Sequence, residues 1–363
     1  MHINDLIDSA DLERGINDKL INVRAAHDGQ RIYNYSDAAL YTPGAWDNPA
    51  VRQCRGLITD PDGFVVARPW AKFFNHGQAE AGVLDLAAPV EVTDKMDGSL
   101  GIIHIDESGN LRVASRGSFE SDQAYHATDW LTARGWALTN VDVFTPLVEI
   151  IYPANRIVCD YGDRDELVLL GGVHIATGEY YGPDATAQLV SWPGTRTEVF
   201  QYATLHDALA APPRPGAEGL CVRYRGVPRI VKIKQDDYIA LHRIVTGLSE
   251  RTVWQHAIDG HPLDDLLAPL PDELHAWTRD VWQRIHTTAE SILTAATDTH
   301  HGILTRLADG WTRGDYAAEA KTATGLTPYL FNLLDGRDPL PSILRTLKPA
   351  GDTRARPTSE AVA

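Results

Sequence analysis

Lys95, in the run Lys95-Met96-Asp97-Gly98-Ser99, is the residue of this chain best suited to covalent chemistry. A lysine amine that attacks the α-phosphate of a nucleotide must be neutral at that moment. Nearby cations and partial burial lower its pKa, and Asp97 stands where it would orient the amine or hold a metal ion. Gly98 lets the backbone turn tightly beside a ligand. The pattern Lys-x-Asp-Gly is weak by itself. It arises by chance in roughly a few per cent of chains this long, and an exposed turn lysine reads the same way.

Three further segments add to it. In Val231-Lys232-Ile233-Lys234, residues two apart on a strand share a face, so both ammonium groups point into one cleft, as a clamp for a triphosphate requires. A solvated strand face is the plain alternative. Glu149, alone among apolar neighbours in Leu147–Ile151, needs a partner, a metal or a hydroxyl if it is buried. Glu218-Gly219 opens the strand that precedes the lysine pair. Either acid suits Mg²⁺ or a nucleoside sugar, and either reads equally as a strand carboxylate facing water. Upstream, Cys54-Arg55-Gly56 and the run Ala67–Asn75, with Lys72, Phe73 and Phe74, set cations beside aromatics. Such pairs stack on a base and meet phosphate, though one of the two phenylalanines is expected in the core. Arg116, in Ser115-Arg116-Gly117-Ser118, suits a phosphate or ribose contact.

The chain holds 26 Arg but only seven Lys, and four of the seven (Lys72, Lys95, Lys232, Lys234) lie in these segments. Arg stays protonated where Lys can lose its proton, so a lysine retained in an arginine-rich chain is a candidate for chemistry. The net charge of −16 works against tight, unspecific binding to bulk nucleic acid. It leaves room for a local basic cleft, around Arg55, Lys72 and Lys232, whose RNA affinity falls steeply with salt. Cys54, Cys159 and Cys221 form no Cys-x-x-Cys pair, which favours a reducing cytosol over a disulfide framework. No apolar run nears the roughly 20 residues of a membrane span, and the N-terminus does not read as a signal peptide.

Short strands with turn signals must position these residues. Gly56–Thr59 and Phe64–Arg68 flank the turn Asp60-Pro61-Asp62-Gly63, and Ser99–Ile105 and Leu111–Ser115 flank Glu107–Asn110. Leu147–Ile151, Leu167–His174, Gly219–Tyr224 and Arg229–Ile233 complete the strand set, after a helix predicted near Leu12–Val23. With few intervening helices the pattern is α+β and rich in antiparallel pairs. Helical periodicity takes over at Tyr238–Leu248 and Asp272–Thr297. The expected division is a nucleotidyltransferase domain over 1–245, an all-α C-terminal domain over 246–348, and a disordered tail over 349–363.

In this order, the segments resemble the ATP-dependent polynucleotide ligases and mRNA-capping enzymes. Cys-Arg-Gly, Ala-Arg-Pro-x-x-Lys-Phe-Phe-Asn, Lys-x-Asp-Gly-Ser-Leu and the run Glu149–Val158 narrow the likeness to the phage-type RNA ligase 1 family, over about residues 50–240. The resemblance implies that Lys95 takes AMP from ATP, with Asp97, Lys232 and Lys234 also catalytic. It implies nucleotide contacts from Arg55, Lys72, Phe74, Gly98, Arg116, Glu149 and Glu218, with Mg²⁺ (or Mn²⁺) on Glu149 and Glu218. Tyr238 fits that family's pattern as an RNA contact. Arg116 stands where some relatives carry Lys, which puts that contact in doubt. The implied activity is joining RNA 3′-hydroxyl and 5′-phosphate ends through lysyl-AMP and an adenylylated RNA, in RNA or tRNA repair. The rivals are a DNA ligase and a non-catalytic RNA-binding protein that keeps the fold.

Overall fold

The computed structural model describes residues 1–239, 247–268, 270, 272–351 and 353. The chain divides into two compact units, Met1–Ile239 and Ala240–Ala363. The first is a mixed structure built on antiparallel sheets and the second is helical, an α+β architecture.

The first sheet runs in chain order: β1 (Ile21–Ala25), β2 (Arg31–Tyr35), β3 (Arg55–Thr59) and β4 (Val65–Ala67). Then follow β5 (Phe74–Asn75), β6 (Val90–Asp94), β7 (Ser99–Ile105), β8 (Leu111–Ser115) and β9 (Phe144–Ile151). The last five are β10 (Glu166–His174), β11 (Tyr180–Tyr181), β12 (Val199–Phe200), β13 (Gly219–Tyr224) and β14 (Ile230–Lys234). These form two five-stranded sheets, ordered β11-β10-β9-β7-β8 and β12-β6-β13-β14-β5. All pairings are antiparallel except β14 with β5. One core joins the three sheets: Ile32 and Ile58 from the first, Ile102, Leu147 and Val173 from the second, Ile230 from the third. Burying such aliphatic side chains contributes about 1.5–3 kcal/mol each, which fixes where the sheets meet.

The helix predicted near Leu12–Val23 is Ser9–Asn17 instead. Asp18 caps it, Lys19 takes φ 58°, and the β-branched Ile21 and Val23 pair with Tyr35 and Tyr33. Tertiary pairing wins over helical periodicity there. Helices beyond the expected set also appear in the first unit, and two of them are longer than the others. Asp122–Arg134, capped by the Ser121 hydroxyl and ended by Gly135 at φ 59°, buries Ala124, Ala127 and Leu131. Pro183–Val190 is the other. In the second unit the helix expected over Asp272–Thr297 runs on to Arg306, because the apolar stripe continues through Ala296 and Ile303. Shorter helices follow, ending with Leu340–Thr346. Of the helix expected over Tyr238–Leu248, residues 240–246 lie outside the described residues, as does most of the expected tail. No helix among the described residues is long and apolar enough to cross a membrane.

Candidate active site

Three neighbouring strands bring an acid and two lysines to one point. β6 pairs with β13 so that Asp94 faces Leu220, and Lys95, one step further, donates its backbone N–H to the Gly219 carbonyl at 3.0 Å. β13 in turn sets Gly219 opposite Lys234 on β14. Glu218 therefore falls between two lysines from different strands. Its Oε2 accepts from Lys95 Nζ at 2.5 Å, and its Oε1 lies 2.9 Å from Lys234 Nζ. The register depends on Gly219, where a Cβ would stand 2.0 Å from the Ile233 carbonyl oxygen.

Burial is the largest influence and would by itself depress the Lys95 pKa, but Glu218, with Cys221 and Glu149 behind it, outweighs burial and holds the ammonium above its ordinary value. Surrounding cations were expected to lower it; the buried ion pair reverses the sign. Lys232 behaves in the opposite way. Burial first, then the charges of Lys72, Lys95, Arg55 and Lys234, bring it down to about 7. The two lysines of β14 thus differ: Lys234 pairs with Glu218, while Lys232 lines the cavity described below.

The Asp97 carboxylate bonds backbone and hydroxyl donors rather than the Lys95 amine. Only 3% exposed, it accepts the backbone N–H groups of Val158 and Cys159 on Oδ2, each at 2.8 Å, and the Tyr238 hydroxyl on Oδ1 at 2.7 Å. Its own N–H donates to the Tyr161 hydroxyl at 2.8 Å. Asp97 is thus the knot that fastens the Lys95 turn. Tyr238, expected to touch RNA, is 5% exposed and holds that knot from below. Gly98 is also required by the fold. Its N–H donates to Glu149 Oε1 at 3.0 Å, and a Cβ there would lie 2.7 Å from the Ile150 carbonyl oxygen.

Glu149 and Glu218 both flank Lys95 as buried carboxylates. Burial, reinforced by Glu218 and opposed by Lys95, raises the Glu149 pKa to about 7. Among the described residues no group of three or more His, Cys, Asp or Glu side chains is arranged for a metal. Two carboxylate donors nevertheless fit a hard divalent ion, which commonly takes one or two carboxylates and completes its shell with water and substrate phosphate.

Lys95 opens into a cavity of about 710 Å³ whose walls include Arg55, Lys72, Arg116, Lys232 and Glu149. Arg55 Nη1 is buried there without a hydrogen-bond partner, and the guanidinium sits 5.0 Å over the Phe73 ring. Lys232 lies 5.5 Å from the same ring. Arg116 Nη1 donates to the Tyr35 hydroxyl at 2.7 Å, and Lys72 Nζ stands 5.0 Å from the Tyr35 ring. Phe73, not Phe74, is the phenylalanine of this cavity. Successive side chains of an extended segment point to opposite sides, and Phe74 turns into the core against Trp46, 5.4 Å between centroids. Sequence reasoning missed Tyr35 and Asn34 on β2 and Trp70, all cavity residues. Trp70 falls in the Ala67–Asn75 run and had a signal; an aromatic in an alternating strand, such as Tyr35, has none.

The model of a family described as RNA ligase matches residues 53–210. The matched segment is similar to that family over less than half of the chain. It carries Arg55, Lys72, Lys95, Arg116 and Glu149, whereas Lys232 and Tyr35 reach the same cavity from outside it and Glu218 and Lys234 join through the ion pairs at Lys95. RNA ligase 1 of Bacteriophage TS2126 is 36% identical over 105 residues, covering 26% of this chain and 25% of that protein. A putative RNA ligase of Thermovibrio ammonificans is 26% identical over 237 residues, 62% of this chain and 60% of the relative. The chain thus spans less than two thirds of either RNA ligase relative. Among solved structures, Naegleria gruberi RNA ligase with ATP and Mn is 17% identical with a TM-score of 0.36, covering 43% of this chain and 52% of that one.

Proposed function

We propose that this protein is an ATP-dependent RNA ligase in which Lys95 is the nucleophile that takes AMP. The observation that carries the reading is the Lys95 amine in a cavity lined by five other cations, Arg24, Arg55, Lys72, Arg116 and Lys232, with Arg55 Nη1 buried and without a hydrogen-bond partner. A triphosphate is the ligand such a wall suits, since phosphoryl transfer relies chiefly on positioning and on neutralising charge.

Lys95 Nζ forms a bond to the α-phosphorus of ATP, the bond to the β-phosphate oxygen breaks, pyrophosphate leaves, and the amine gives up a proton. The adenylyl group then passes to an RNA 5′-phosphate oxygen, and Lys95 regains its proton. A 3′-hydroxyl finally displaces AMP and the strands are joined. A divalent ion held by Glu149 and Glu218 would offset phosphate charge. With Glu218 and Glu149 so engaged, burial, the largest influence on Lys95, favours its neutral form. Arg55, Lys72, Arg116 and Lys232 hold the phosphates, and Lys234 keeps Glu218 in place. Repair of broken RNA, including tRNA loops, is the role this chemistry fits.

The test is incubation with α-labelled ATP or GTP and Mg²⁺, in protein first cleared of bound AMP. Acid-stable, hydroxylamine-sensitive label should come from ATP and vanish in Lys95→Ala. Undiminished label in that variant overturns the nucleophile, and no label in the wild type favours a binding protein that keeps the fold. Supplied side by side, 5′-phosphorylated single-stranded RNA should be sealed in preference to nicked DNA; the reverse preference makes it a DNA ligase.

A further inference from the structure

A second cavity, of about 650 Å³, adjoins the Lys95 cavity and shares Lys72 and Phe73 with it as a common wall. It is nearly as large as the first but differs in chemistry. The half-buried Phe73 and Tyr180 give it an aromatic side, backed by the buried Trp46 and Phe74; Arg52 and Arg229 add cations to Lys72, and the exposed carboxylates Asp47 and Glu80 also line it. The cations are partly committed: Arg52 stands 5.4 Å over the Phe74 ring, and Arg229 Nη2 donates to the Ala81 carbonyl at 2.5 Å. Their remaining N–H groups suit a single phosphodiester rather than a triphosphate.

We propose that this cavity seats the terminal nucleotide of the RNA strand that presents its 3′-hydroxyl. The inference rests on the RNA-joining reading above and assigns the place of the second strand. Aromatic rings with interleaved cations bind a base and its adjoining phosphate. Carboxylates accept hydrogen bonds from the paired ribose hydroxyls of a 3′ end but repel the doubly charged phosphate of a 5′ end. The Lys95 cavity is the reverse, rich in cations and suited to the phosphate-bearing partners. Because the two share Lys72 and Phe73, a terminal nucleotide in the second lies next to the phosphoryl centre in the first.

Two variants leave the Lys95 cavity untouched. Ala79→Trp fills the second cavity from its exposed rim, and Arg229→Gln removes a cation. A short 5′-dye-labelled oligoribonucleotide with a free 3′-hydroxyl, followed by fluorescence anisotropy, should bind each variant roughly tenfold more weakly than wild type. With pre-adenylylated donor RNA, the KM for the 3′-hydroxyl strand should rise by a similar factor, while self-labelling of Lys95 from ATP stays at the wild-type level. A strand ending in a 2′-deoxynucleotide should bind wild type more weakly than its ribose counterpart. Wild-type affinity in both variants overturns the assignment, as does a parallel loss of self-labelling, or tighter binding of a 3′-blocked, 5′-phosphorylated strand. Absence of self-labelling in the wild type sinks the joining mechanism instead, and the anisotropy comparison still decides the occupant of the cavity.

Discussion

The ammonium of Lys95 lies 2.5 Å from Glu218 Oε2, paired to a carboxylate whose side chain is 5% exposed. The proposed nucleophile is therefore at rest in its charged form, and its reactivity depends on what becomes of Glu218. This ties the amine's state to occupancy of the site, since burial favours its neutral form once Glu218 is engaged elsewhere.

The Glu218→Gln variant tests that coupling. Without the carboxylate, burial is opposed only by the smaller influences of Cys221 and Glu149, so the rising limb of the pH–rate profile for self-labelling should move to lower pH. Its plateau should fall, because a proposed metal donor is lost. A limb that stays in place would show that Glu218 does not set the protonation of Lys95.

Lys232, brought down to about 7, should take up a proton when an anion fills the cavity. Calorimetry of pyrophosphate binding in buffers of different ionisation enthalpy should show proton uptake between about pH 7 and 9, with affinity falling as pH rises. Lys232→Arg should abolish the uptake, since arginine remains charged. The same depressed pKa lowers stability: as pH falls from the ordinary lysine range towards 7, the unfolded chain binds a proton that the folded one does not.

Asp97→Asn should act on stability before chemistry. The amide oxygen can still take the backbone donors of Val158 and Cys159, but its nitrogen must then face the Tyr238 hydroxyl, and losing the charge assistance of these buried bonds costs about 1–2 kcal/mol. Tyr238→Phe removes one hydroxyl from the same knot and should cost about 1 kcal/mol while self-labelling persists. Urea unfolding of both, beside self-labelling at a temperature where each is folded, separates an anchor from a catalyst.

Gly219→Ala places a methyl group where the Ile233 carbonyl oxygen already stands, 2.0 Å away. Strand β14 has to shift, costing roughly 1–3 kcal/mol and drawing Lys234 away from Glu218. Self-labelling should drop by far more than in Val227→Ala, a change at an exposed position remote from the Glu218 ion pairs. Equal activity in the two variants would mean that the register does not matter to the site.

The sequence by itself determined the local parts. Alternation and turn residues marked Ser99–Ile105, Leu111–Ser115 and Gly219–Tyr224, each of which is a strand over that range. Residue type marked Lys95, Glu149, Glu218 and Lys232, since a lone lysine in an arginine-rich chain, or an acid among aliphatics, is unusual wherever it folds. Only the tertiary structure decided their roles, because these depend on pairing across more than a hundred residues. Glu218 meets Lys95 through the β6–β13 register, and Tyr238 meets Asp97 through a bond spanning 141 positions. That pairing reversed the expected shift at Lys95, made Asp97 an anchor, sent Phe74 to the core and left Phe73 in the cavity. Tyr35 joined the site from a strand with no motif at all. Charge and burial act through space, and no spacing along the chain encodes which neighbour a folded side chain will meet.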